Sequence, residues 1–191
     1  MYQFDLVIFR WLNSWAGVSD FFDWAIVFRA TYLWYIVMAA VAGLVVATLF
    51  VKFRAYRRKN IELFIFAFIS AFIARFVITG LIHEIYNRPR PFDLPAEALA
   101  EAGVRVVQLI PHVSGGSFPS GHASLAFAVA MAVYFYYPKT SVLFFLAALS
   151  IGFGRVAAGV HWPSDILGGV IVGIGTALCI RLLSKKFLAK N

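Results

Sequence analysis

Three short stretches concentrate residues able to do chemistry: RPRP at 88–91, SFPSGH at 117–122 and GRVAAGVHWPSD at 154–165. His161 and Asp165 stand four residues apart at the start of a helical stretch. That spacing lets the carboxylate accept a hydrogen bond from one imidazole nitrogen, fix the tautomer and leave the other nitrogen as a nucleophile. Pro119 and Ser120 suit a helix start, whose first free N–H groups and dipole form an anion site, and His122 lies one residue further into the same turn. Arg90 and Arg155 supply planar forks that match phosphate oxygens, in the ground state and as charge spreads in phosphoryl transfer. Arg88 reads as a rigid anchor of its loop. A metal held by His122, His161 and Asp165 is the competing chemistry, but two neighbouring arginines would repel a cation, so the group reads as an anion site without metal or cofactor.

The elements that must position these groups are membrane helices. Of 191 residues, 62% are hydrophobic and only 14% charged, with a mean hydropathy of +0.82, against about a quarter charged in a typical soluble domain. Disorder and an ordinary soluble globule are excluded. The 20 Phe, 8 Tyr and 5 Trp fit a lipid-exposed surface with aromatic belts. The single cysteine, Cys179, permits no internal disulfide.

Spanning the hydrocarbon takes about 20 apolar residues. The uncharged run 30–51 is the first candidate, and 63–82, interrupted by Arg75, is the second. The stretches 123–138, 140–154 and 166–180 reach that length only if PSGH, Arg155 and Asp165 join the helix ends, which puts these polar groups at headgroup depth. The expected architecture is an all-α polytopic membrane bundle of about five transmembrane helices. Residues 1–23 form an interfacial segment and 24–185 the motif-bearing core of a single domain spanning 1–191.

Lys52, Arg54, Arg57, Arg58, Lys59, Lys139, Arg181, Lys185, Lys186 and Lys190 all fall on one side, 10 of the 17 basic residues. The net charge of +8 therefore reads as topology and not as a nucleic-acid surface, with this side cytoplasmic and all four histidines outside. Arg75 lies eight residues before His83, ~12 Å deeper along an ideal helix. It must pair inside the bundle or face a wet cavity, as a structural hydrogen-bonding group or as a second phosphate contact. Gly168, Gly169, Gly173 and Gly175 are expected to permit close helix packing.

In order and spacing the three stretches resemble the motifs of the type 2 phosphatidic acid phosphatase superfamily. Those motifs are Lys, six residues, Arg-Pro; then Pro-Ser-Gly-His; then Ser-Arg, five residues, His, three residues, Asp. Here they read HEIYNRPRP (83–91), PSGH (119–122) and GRVAAGVHWPSD (154–165), and the likeness extends over 24–185. The chain looks most like the bacterial undecaprenyl pyrophosphate phosphatase branch. The resemblance implies a multi-pass protein of the bacterial cytoplasmic membrane whose outward site hydrolyses a lipid phosphate through phosphohistidine. His161, His122 and Asp165 would be the catalytic set, with Arg90, Arg155, His83, Ser120 and the Gly121 N–H holding the phosphoryl oxygens. It implies undecaprenyl pyrophosphate as substrate. Phosphatidylglycerol phosphate, phosphatidic acid or another lipid phosphate as substrate, and a lipid phosphotransferase or transporter on the same fold, are the alternatives. Two residues depart from the pattern: His83 replaces Lys and Gly154 replaces Ser. A histidine in place of a permanent cation predicts activity that falls as pH rises, and His83→Lys should flatten that loss between about pH 6 and 8.

Overall fold

The computed structural model describes residues 3–188 as seven α-helices, with no strand among them. They are α1 (Gln3–Asn13), α2 (Asp20–Ala47), α3 (Val51–Ile85), α4 (Ala96–Glu101), α5 (Gly121–Tyr136), α6 (Pro138–Ala157) and α7 (Pro163–Leu188). Four of them, α2, α3, α6 and α7, are long and apolar enough to cross a membrane. Large apolar side chains such as Ile36, Phe72, Leu146, Phe153 and Ile171 are exposed around the bundle, as lipid contact requires.

The third of the five expected spans is the central helix α5. It begins at Gly121 and leaves Pro119 and Ser120 outside, so its 16 residues reach only ~24 Å, short of a hydrocarbon core of ~30 Å. It is instead sheathed by its neighbours: Ala123, Ala128, Val129, Ala130, Ala132 and Val133 are fully buried. Small residues let α7 approach it. A Cβ on Gly169 would lie 2.6 Å from that of Ala123, and one on Gly173 would collide with the Ser124 carbonyl. Gly175, expected in the same seam, meets nothing within 4 Å.

The first span also starts earlier than the charge pattern suggests, at Asp20 instead of residue 30. Ser19 caps it by accepting from the Phe22 N–H, and Asp20 and Asp23 sit at the positive end of its dipole. Arg29 does not stop the helix, because its guanidinium donates back to the Ala25 carbonyl at 3.0 Å. Both α2 and α3 contain a widened π-helical segment, Phe28–Tyr32 and Ile73–Ile78.

Basic groups gather at one end of the bundle. Lys59 stacks over Tyr137 at 3.9 Å, Arg181 lies over Phe135 and Tyr136, and Tyr137 donates to Asn60. The side chains of Lys185 and Lys186, and all of Lys190, lie outside the described residues. The opposite end collects the three motifs, beneath the connection 86–120. It carries α4 and is pinned by Asn13, which exchanges hydrogen bonds with Val107 and donates to the Ala157 carbonyl.

Candidate active site

α7 places His161 just before its first turn and Asp165 within it. His161 Nδ1 donates to Asp165 Oδ2 at 3.3 Å, and the same oxygen accepts from the Trp162 N–H at 2.8 Å. His161 is 1% exposed. Its Nε2 accepts from Arg90 Nη1 at 3.1 Å, so these partners assign the Nδ1–H tautomer with the Nε2 lone pair turned toward a guanidinium. Burial, followed by the charges of Arg155 and Arg90, holds the imidazole pKa well below the ordinary histidine value. The ring is therefore neutral and nucleophilic at physiological pH.

Arg88 does more than anchor its loop. Its Nη1 donates to Asp165 Oδ1 at 2.7 Å and to Ser164 Oγ at 2.6 Å, and its Nη2 to Asp5 Oδ2 at 2.6 Å. Asp5 and Asp165 are both fully buried. Asp5 also caps α7 from a different helix, accepting from the Ser164 N–H at 2.8 Å. The sequence reading left Asp5, Ser164 and Ser117 out of the site. Only Asp5 carried a signal, as the one acid in an otherwise apolar and basic helix α1.

Arg90 and Arg155 come together as expected, and both are nearly buried. Arg90 also donates to the carbonyls of Val160 and Gly116, while Arg155 reaches only the Ala30 carbonyl, at 3.4 Å. That carbonyl belongs to the π-helical segment of α2, whose widened turn presents it to α6. Among the described residues five buried side-chain polar atoms have no partner, and four of them are here: Arg90 Nε, Ser120 Oγ, and Arg155 Nε and Nη2. Buried, unpaired guanidinium N–H groups cost several kcal/mol unless an anion meets them.

Ser120 and Gly121 form the start of α5; the Ser120 N–H donates to the Asp165 carbonyl at 2.9 Å, which ties this turn to α7. His122, half-buried, faces Trp34 edge-on at 6.4 Å. With Trp34, Tyr35, Ile110, His112 and Arg155 it lines a cleft of ≈ 580 Å³ between α2 and the 109–113 segment. His161 does not line that cleft, but His112, which does, stands edge-on to it at 6.1 Å. His112, given no role by the sequence, is pushed down to about 4 by burial and then by Arg90 and Arg155, so it too is neutral. His83 reaches the site's rim, where its Nε2 donates to the Pro119 carbonyl at 3.0 Å.

The structure accounts for Gly154. A Cβ there would lie 2.7 Å from the Ala30 nitrogen and 2.8 Å from the Arg29 Cβ, so α6 and the π-helical segment of α2 meet backbone to backbone. Restoring serine should harm the protein. Gly154→Ser is expected to cost ~1–3 kcal/mol of stability by overpacking and to lower turnover several-fold, because Arg155 depends on the same contact. Thermal unfolding in detergent checks this, and a variant as stable as its parent would mean the two helices separate freely.

Residues 63–188 match the PAP2 superfamily. The chain is 27% identical over 179 residues to the Bacitracin transport permease protein BcrC of Bacillus licheniformis, covering 93% of this chain and 79% of that one. It is 37% identical over 102 residues to the Undecaprenyl-diphosphatase BcrC of Bacillus subtilis, covering 53% and 48%. The crystal structure of Aquifex aeolicus LpxE superposes with a TM-score of 0.64 at 26% identity, covering 93% of this chain and 94% of that one. With its arginines, histidines and helix start converging at one end of a membrane bundle, the chain belongs to the PAP2 superfamily and is a membrane-embedded lipid phosphatase of that family.

Proposed function

We propose that the protein hydrolyses undecaprenyl pyrophosphate to undecaprenyl phosphate and inorganic phosphate, at a site facing outward from the bacterial cytoplasmic membrane. The observation that carries the phosphate chemistry is the cluster of buried, unpaired donors on Arg90, Arg155 and Ser120. A tetrahedral dianion meets these donors together with the first free N–H groups of α5. The relative named Undecaprenyl-diphosphatase BcrC supports the choice of lipid. The gathering of basic residues at the opposite end supports the orientation.

In this reading a phosphoryl group held by Arg90 lies next to His161 Nε2, since that fork and that nitrogen are already 3.1 Å apart. Nε2 attacks phosphorus while Asp165 takes up the charge that develops on the ring through Nδ1. His122 protonates the departing oxygen, then accepts a proton from the water that cleaves the phosphohistidine. The lipid tail leaves through the aromatic-lined cleft between α2 and the 109–113 segment, which spares it from passing through water.

The test is phosphate release from undecaprenyl pyrophosphate, phosphatidylglycerol phosphate and phosphatidic acid in detergent, with EDTA present throughout. The expected ranking puts the isoprenoid diphosphate first by at least tenfold in kcat/KM. Preference for either glycerolipid would reassign the substrate, and dependence on added metal would overturn the mechanism.

A further inference from the structure

Among the described residues Arg75 has no polar partner. Its guanidinium pairs with no carboxylate and donates no hydrogen bond among the described residues; its neighbours are the Phe76 ring at 5.4 Å and the first residue of α5. A Cβ on Gly121 would sit 2.5 Å from Arg75 Cδ and 2.6 Å from its Cζ, so the guanidinium lies flat against the glycine that opens the phosphate-binding turn. Any side chain at 121 would displace it. Although residue 75 starts ~12 Å below His83 on an ideal helix, its long side chain climbs toward the polar end of the bundle. The helix is π-helical over Ile73–Ile78, a distortion that changes where Arg75 points. Burial is the main cause that lowers the pKa of Arg90 and of His112, and the Arg75 charge adds to it in both, which places it in the same electrostatic site.

His83 cannot supply the cation that the family pattern places at its position. Its Nε2–H is spent on the Pro119 carbonyl, and the neutral ring then offers only an acceptor, Nδ1, which an anion does not bind. We propose that Arg75 is a phosphate-contacting residue that takes over this role, bringing a permanent charge to the phosphoryl group from two turns deeper in α3. His83 then holds the 117–120 turn in place through Pro119. The proposal rests on the site being a phosphate site, as argued above, and it applies to any lipid phosphate that the protein turns over.

The experiment measures inhibition by inorganic phosphate, together with kcat/KM, on the best lipid substrate of the parent. The variants are Arg75→Gln, Arg75→Lys, His83→Lys and the double variant Arg75→Gln/His83→Lys, each with its unfolding temperature. Arg75→Gln should raise the inhibition constant at least tenfold and lower kcat/KM about a hundredfold. The double variant should recover at least a tenfold share of that loss, because a lysine at 83 restores the cation. A merely structural arginine would not be rescued from position 83. Inhibition and kcat/KM within twofold of the parent in Arg75→Gln, or a double variant no better than the single one, would overturn the proposal. If Arg75→Gln does not fold, Arg75→Lys decides. Losing the planar fork should raise the inhibition constant at least threefold, and an unchanged constant overturns the role. A parent that releases no phosphate from any lipid would count against the substrate reading, and inorganic phosphate then decides Arg75: protection against thermal unfolding that the parent shows and Arg75→Gln loses supports the role, and equal protection overturns it.

Discussion

Replacing His161 by alanine is expected to lower kcat by at least ~10³-fold, because among the site histidines it alone is oriented by a carboxylate, with its second nitrogen turned toward the Arg90 fork. The fold should survive. The ring makes one hydrogen bond to Asp165 and one from Arg90, and losing them leaves Asp165 still satisfied by Arg88 and the Trp162 N–H. Turnover within tenfold of the parent, in a variant of parental unfolding temperature, would remove His161 as nucleophile. The parent carries a companion expectation in its pH profile. Burial and two arginines lower the His161 pKa, so the neutral form persists to more acidic pH than in a free histidine. The acid limb of kcat/KM should therefore fall below the unperturbed value of about 6.5. A limb at or above that value, assigned to His161 by NMR titration, would contradict the electrostatics of the site.

Arg88→Ala carries the second large effect, and it falls on stability as well as rate. The guanidinium is the counter-charge of both Asp5 and Asp165, whose side chains are fully buried. Removing one partner of a buried ion pair costs ~3–5 kcal/mol, because the charge left behind is uncompensated. Turnover should fall ~10²-fold in addition, since Asp165 is then free to leave His161, much as loss of an outer partner disorients a metal-bound histidine. The cycle with Asp5→Asn separates these effects: neutralising Asp5 should recover part of the stability loss and little of the rate. Equal stability of Arg88→Ala and parent would show that the network contributes nothing to folding.

What sequence could read here was local. The four-residue spacing of His161 and Asp165 implies a contact within one helical turn, and the structure has it at 3.3 Å. Arg88 has partners 77 and 83 residues away, and no local spacing can nominate them. The same holds for Gly154: a missing serine looks like a lost hydroxyl until the backbone of α2 is seen pressed against it. The π-helical segments follow from no apolar periodicity, yet one delivers the Ala30 carbonyl to Arg155 and the other redirects Arg75. The enclosure of α5 within the bundle was hidden for a related reason. Charge-free length identifies helices that meet lipid on their own, whereas α5 is covered by protein and needs no such length.

The carboxylate of Asp5 on the Ser164 N–H joins helices separated by 159 residues. During synthesis Asp5 leaves the ribosome long before its partner exists. A chain inserted as far as α6 already holds Arg88, Arg90, His122 and Arg155, but it has neither His161 nor the helix that Asp5 caps. In the proposed mechanism such a chain lacks its nucleophile, so turnover waits for α7.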